Sequence, residues 1–214
     1  MNNFARLSVL SLSLLASLTV QAADTAELKV KGTIRPSACT PSFTGDGTVD
    51  YGTISAKSLN ASSGTQLPAK TIAFAITCDG PTRIALRTID NRAASVVTGL
   101  SSTGSSYGLG MYQGKSIGVY NVFVTPGAFM ADGGAVDVVY EKDVAGSGSW
   151  QKSSQGNLGG NRHSFAPANT TTPGAYKAIT GMFTIQATIN KGSELPLTEN
   201  IPLDGSATVE VQYL

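Results

Sequence analysis

Histidine and tryptophan each occur once in this chain of 214 residues, as His163 and Trp150, cysteine occurs twice, and charged side chains make up only 14%. A single histidine excludes a histidine-rich metal centre, and two thiols without a histidine nearby cannot complete a tetrahedral zinc site. Neither charge sign dominates. The formal net charge is +1, and it falls to zero without the first 22 residues, which hold Arg6 and no acid. Such a balance offers no electrostatic footprint for nucleic acid or an anionic membrane surface. Arg83 and Arg87 share a strand face, but Ile84 and Leu86 alternate with them, the pattern of a solvated outer face. The apolar run of residues 7–20 is too short and too serine-rich for a stable membrane span, and no second run of spanning length follows. After residue 22 no stretch holds a helical apolar period over three turns. Internal repeats are also lacking.

What is present begins with export. Arg6, the apolar residues 7–20 and Val20-Gln21-Ala22 as a small-x-small cleavage site read as a signal peptide over residues 1–22. The expected route is export through the inner membrane. In an oxidising compartment an isolated cysteine pair reads as a disulfide, so Cys39 and Cys78 are expected to be joined. Closing a loop of that size contributes about 4 kcal/mol on the chain-entropy model.

Strand signals fill the rest, separated by clusters of Gly, Ser, Asn and Pro. Leu28, Val30, Gly32 and Ile34 alternate with Glu27, Lys29, Lys31, Thr33 and Arg35. Further strands are expected at residues 49–54, 71–78, 84–89, 107–112, 117–124, 136–140 and 182–189. In the second of these, Ile72, Phe74, Ile76 and Cys78 share the inner face. Residues 207–214 form a last strand, with Val209, Val211 and Tyr213 on one face and Thr208, Glu210 and Gln212 on the other. Residues 145–173, rich in Gly, Ser, Asn and Thr, read as a long surface loop or a mobile hairpin. Eight or nine short strands in one domain point to an all-β antiparallel sandwich.

One motif invites an enzymatic reading. Gly114-Lys115-Ser116-Ile117-Gly118 fits the Gly-x-Ser-x-Gly nucleophile elbow, and Asp132, Asp137, Asp143 and His163 follow in hydrolase order. An elbow needs a strand-to-helix turn, and no helical pattern follows Ser116. His163 falls in the most irregular stretch, where no rigid element would hold it against a serine. Gly108-Leu109-Gly110 with Gly114 lacks the spacing of a dinucleotide loop. No enzyme activity, cofactor or metal is expected.

Three segments together resemble the subunits of chaperone–usher fimbriae, the pilins. They are Val30-Lys31-Gly32-Thr33-Ile34 followed by Cys39, residues 49–59 leading to Ile72-Ala73-Phe74-Ala75-Ile76-Thr77-Cys78, and residues 207–214 with the penultimate Tyr213. Together they cover roughly half of the chain after residue 22. The length of the chain and Ile201-Pro202-Leu203-Asp204-Gly205 before the last strand depart from major pilins. They look more like a fimbrial-like branch known as a domain of unknown function. The resemblance implies an immunoglobulin-like (pilin) sandwich, residues 36–214, that lacks one strand. It implies that residues 23–35 are a strand donated to a neighbour, with Leu28, Val30, Gly32 and Ile34 as its plugs. Val209, Val211, Tyr213 and Leu214 would then border the open groove and meet a periplasmic chaperone. The implied partners are that chaperone, an outer-membrane usher and other fimbrial subunits, with no nucleic acid and no membrane span. The protein would pass through the periplasm and end in a cell-surface fimbrium concerned with adhesion.

Two other readings compete. A secreted carbohydrate-binding adhesin or lectin-like sandwich could use Trp150, Tyr107, Tyr112 and Tyr120 if they converged. A small outer-membrane β-barrel would need tilted strands of about ten residues with apolar outer faces, and the expected strands are mostly shorter.

Overall fold

The computed structural model describes residues 26–33, 38–101, 105–141, 149–153 and 156–214. The signal peptide, Ile34, Arg35 and Asp143 lie outside the described residues. The chain divides into two units, Met1–Arg35 and Pro36–Leu214. In the first, residues 26–33 belong to no ladder. Leu28 and Val30 are 90% and 91% exposed, and Lys29 pairs with Glu27 at 3.1 Å.

The second unit is built from eight principal strands, with no α-helix among the described residues. They are β1 (Cys39–Phe43), β2 (Lys70–Thr82), β3 (Ile84–Asp90), β4 (Gly118–Ala131), β5 (Gly134–Glu141), β6 (Arg162–Pro167), β7 (Tyr176–Ile189) and β8 (Ala207–Tyr213). All ladders are antiparallel, and the order is β1-β2-β7-β4-β5-β6-β3-β8. The β4–β5 hairpin turns through Asp132 and Gly133, both at positive φ (48° and 81°). Asp-Gly with that geometry gives a two-residue turn whose twist suits a hairpin. Only two residue pairs follow it, Ala131 with Gly134 and Met130 with Ala135. The path thus folds into a front layer, β1-β2-β7-β4, and a back layer, β5-β6-β3-β8. Between β2 and β3 the chain changes layer at the single residue Arg83.

Period-two alternation fills the core as the sequence implies. Ile72, Phe74, Ile76 and Cys78 are all buried. Phe43, Phe74, Phe183, Phe129 and Phe165 form a run of tilted rings with centroids 4.9–5.5 Å apart, crossing from β1 to β6. Each such pair contributes about 0.5–1.5 kcal/mol beyond its buried area. Gly181 permits the run, because a Cβ there would lie 2.2 Å from the Phe129 ring.

Several expectations need correction. Residues 49–54 form no strand: the Asp50 carboxylate accepts the Gly52 N–H (2.7 Å), and Gly52 sits at φ 66°. Residues 107–112 are two short ladders parted by Gly110 at φ 88°. The stretch read as a surface loop contains β6, which lies between β5 and β3. His163, Ser164, Phe165 and Ala166 on β6 are buried, as is Leu158 just before it. Its Gly and Ser content masked these few large side chains. Three strands are also longer than expected, with 13 residues in β2 and 14 each in β4 and β7. Strand length therefore does not argue against a membrane barrel; the placement of side chains does. Apolar rings fill the interior, while Thr40, Ser42, Thr71, Thr77 and Thr180 face outward, the reverse of a transmembrane barrel.

Candidate functional site

The strand path has two ends, β1 and β8, and no ladder joins them among the described residues. They meet at one point, where the Cys39 N–H donates to Tyr213 Oη at 2.9 Å. The disulfide Cys39–Cys78 fixes β1 to β2 beside this contact, and the two cysteines are direct cross-strand partners. Away from this point the layers part, leaving a groove of about 1440 Å³. Its floor is the inner face of β7 and β4, including Phe183, Ile185, Ala187, Ile189 and Val122.

Residues 46–59 make one wall. Val49, Tyr51, Ile54 and Leu59 are half-buried against the core without strand pairing. Tyr51 holds this wall in place. Its hydroxyl donates to the Ile185 carbonyl (3.1 Å) and accepts the Ala187 N–H (3.3 Å), just where β2 stops pairing with β7. Burial raises the Tyr51 pKa, so the hydroxyl keeps the proton it donates. Lys70 Nζ donates to the Asp50 carbonyl at 2.6 Å and sits 5.4 Å from the Tyr51 ring centroid.

The opposite wall is the stretch from Leu195 to Val209, whose Ile201, Leu203, Ala207 and Val209 are half-buried. Asp204 pins it by accepting from Arg92 Nε (2.8 Å) and Nη2 (3.1 Å). Glu199 accepts from Tyr112 Oη (2.7 Å) and Gln113 Nε2 (3.1 Å). Gly205 lies over the Tyr120 ring, where a Cβ would meet it at 2.8 Å. Both walls are thus held by polar bonds, the first to β7 and the second to Arg92, Tyr112 and Gln113, while their apolar residues face an open trough. A trough with this lining takes up an apolar ridge, such as every second side chain of an extended strand.

Of the residues expected at a groove, Val209 lines it. Val211 is half-buried against the core, opposite Leu86 on β3. Tyr213 and Leu214 are exposed, and the Leu214 N–H donates to the Arg83 carbonyl. Leu28, Val30 and Gly32 stand in the first unit. The wall residues Tyr51, Ile201 and Leu203 were not expected there. Only the apolar character of Ile201-Pro202-Leu203 in a stretch without strand alternation could have pointed to them.

The other candidates are held in contacts of their own. Ser116 pairs with Met111 in a two-residue ladder, while His163 is 1% exposed on β6. No hydrogen bond joins Ser116 to His163 among the described residues. Burial lowers the His163 pKa to about 4. The aromatic residues are spread apart in role: Trp150 carries the Arg162 guanidinium over its ring at 5.6 Å, and Arg162 pairs with the buried Glu141. Tyr107 and Tyr120 stack on each other at 5.2 Å, and Tyr112 serves Glu199. Among the described residues no group of three or more His, Cys, Asp or Glu could hold a metal ion, and no helix could cross a membrane.

The molecule is an antiparallel β-sandwich whose two end strands touch through the Cys39–Tyr213 hydrogen bond, beside the disulfide, and part along the rest of the seam. A family model described as "Protein of unknown function (DUF1120)" matches residues 28–125, which span both cysteines and the first groove wall. Protein GltF of Escherichia coli (strain K12) is 30% identical, over 97% of this chain and 95% of its own length. The uncharacterized protein YhcF of the same strain is 28% identical, over 92% and 94%. The chain belongs to the family of these proteins.

Proposed function

We propose that this protein is a structural subunit of a surface fibre assembled by a chaperone and an usher, and that its groove receives a β-strand from another chain. The observation that carries the reading is the apolar groove between two unpaired sheet ends. An open edge beside apolar surface is an aggregation hazard unless something covers it. A strand lying between β1 and β8 would add ladder hydrogen bonds and place alternate side chains on the floor, the mode of recognition known as β-augmentation. A periplasmic chaperone would supply that strand first, and the N-terminal segment of a neighbouring subunit would replace it. Burying Leu28, Val30 and Ile34 stabilises the pair by about 1.5–3 kcal/mol for each side chain. In this reading the protein is exported, does no chemistry and needs no cofactor.

The test is a synthetic peptide of residues 23–35 added to the exported chain. At a concentration a hundred times its Kd, a strand that binds only the folded state adds about 2.7 kcal/mol. That raises Tm by about 5–10 °C for a domain of this size. A Val30→Asp peptide should give no rise. If the unsubstituted peptide leaves Tm unmoved at saturation, donated-strand assembly is wrong.

A further inference from the structure

The groove has a charge as well as a shape. Three acidic residues line it, Asp46 and Asp50 on one wall and Glu199 on the other; no lysine, arginine or histidine does. Their contacts do not cancel this. Glu199 is held by two neutral donors, Tyr112 and Gln113. The carboxylate of Asp50 accepts a main-chain N–H, and Lys70, bound to the carbonyl of Asp50, offsets that one charge in part, while Asp46 and Glu199 face no such cation among the described residues. All three acids are exposed, so they stand at the rim above the apolar floor.

Residues 26–35 carry the opposite sign. When Leu28, Val30, Gly32 and Ile34 face one way, Glu27, Lys29, Lys31 and Arg35 face the other, three bases against one acid. A strand laid in the trough with its apolar side down would hold these bases at the level of the rim. Resting on the reading of the groove as a strand acceptor, we infer that the acidic rim selects strands with a basic outer face, and that the occupant it fits is the N-terminal segment of a second copy of this chain. Apolar contact makes the complex; charge decides which strand is taken up, and how fast. Fields of this kind act mainly on association rate and on the exclusion of wrong partners.

The experiment measures association of a fluorescent peptide of residues 23–35 with the exported chain, by anisotropy, at about 20 mM and about 500 mM salt. Screening shortens the reach of the rim to a few ångströms at the higher salt. The unsubstituted peptide should associate roughly tenfold faster at low salt, which needs no variant of the protein. A peptide with Lys29, Lys31 and Arg35 changed to Glu should associate roughly 10- to 100-fold more slowly at low salt, and nearly as fast as the original at high salt. The groove variant D46K/E199K, checked for a cooperative urea transition, should reverse the preference. Equal rates for both peptides at low salt would overturn the inference. So would a groove variant that keeps the original preference. A Val30→Asp peptide separates the two levels: if it fails while the charge-reversed peptide binds normally, the acceptor groove stands and selection by charge falls. Failure of the unsubstituted peptide at both salts removes the acceptor groove itself.

Discussion

Replacing Tyr51 with Phe tests whether the first groove wall is held by one hydroxyl. The substitution keeps the ring and its packing and deletes only Oη. Two main-chain groups lose a partner, the Ile185 carbonyl at 3.1 Å and the Ala187 N–H at 3.3 Å. They are not equivalent. Ala187 is fully buried, so its N–H cannot turn to water, whereas Ile185 is half-buried and its carbonyl can be solvated. A buried N–H left without a partner costs about 1–3 kcal/mol, and a carbonyl that water can reach adds little. Tyr51→Phe should therefore lower stability by about 2 kcal/mol, or 4–8 °C in Tm. Lys70→Met is the control: it removes an exposed cation from the same ring and should change stability by about 1 kcal/mol at most. Urea unfolding of the exported chain, followed by intrinsic fluorescence, reads both. If Tyr51→Phe shifts the midpoint by less than about 0.5 kcal/mol at unchanged m, the hydroxyl does not carry the wall. A loss equal to that of Lys70→Met would point the same way.

Replacing Cys39 or Cys78 with Ser should cost about 4 kcal/mol and lower the amount of soluble exported protein, measured by urea unfolding and immunoblot; two titratable thiols in the native protein would contradict the bond. His163 gives stability a pH dependence. Its pKa is lowered to about 4 in the fold and is near 6.5 unfolded, so the unfolded chain takes up the proton first as pH falls. Stability is unaffected above about pH 6.5, declines between about 6.5 and 4, and levels off below, a loss of order 3 kcal/mol from this group. His163→Leu should flatten urea midpoints across that window, and an unchanged slope would assign the pH dependence elsewhere.

How much of this was legible in the sequence depends on where the determining contacts lie. Strands with one apolar face announce themselves by alternation, as in Ile72-Phe74-Ile76-Cys78 and Val209-Val211. β6 does not. It is buried on both faces, its run reads Arg-His-Ser-Phe-Ala-Pro, and two of its polar members, Arg162 and Ser164, are satisfied by neighbours far away in sequence. Arg162 pairs with Glu141, and Ser164 Oγ donates to the Ile84 carbonyl. Such a strand has no period to read. The first groove wall misleads in the opposite way. Val49, Tyr51 and Thr53 alternate with Asp50 and Gly52 like a strand, but Gly52 at positive φ and the Asp50 side chain bend the chain out of any ladder. The second wall, Ile201-Pro202-Leu203, has no strand period at all, and only the fold shows that it faces the first.

These two failures share a cause that bears on function. Strand patterning reports pairing, and the first wall and the second as far as Ser206 are stretches where pairing is absent: their apolar residues are set against the core by side-chain hydroxyls, carboxylates and an arginine. A wall built from strands would bring its own backbone donors and acceptors to the seam and could close the gap between β1 and β8 by itself. Walls built from Tyr51, Asp204 and Glu199 contacts leave the gap apolar and leave the outer edges of β1 and β8 without ladder partners among the described residues. A strand from outside could satisfy both edges at once. Residues 26–33 have the right alternation, and Leu28 and Val30 on their apolar side are almost fully exposed. An unfilled seam and an unburied strand are each unfavourable alone, and the strand-donation reading joins them in one complex.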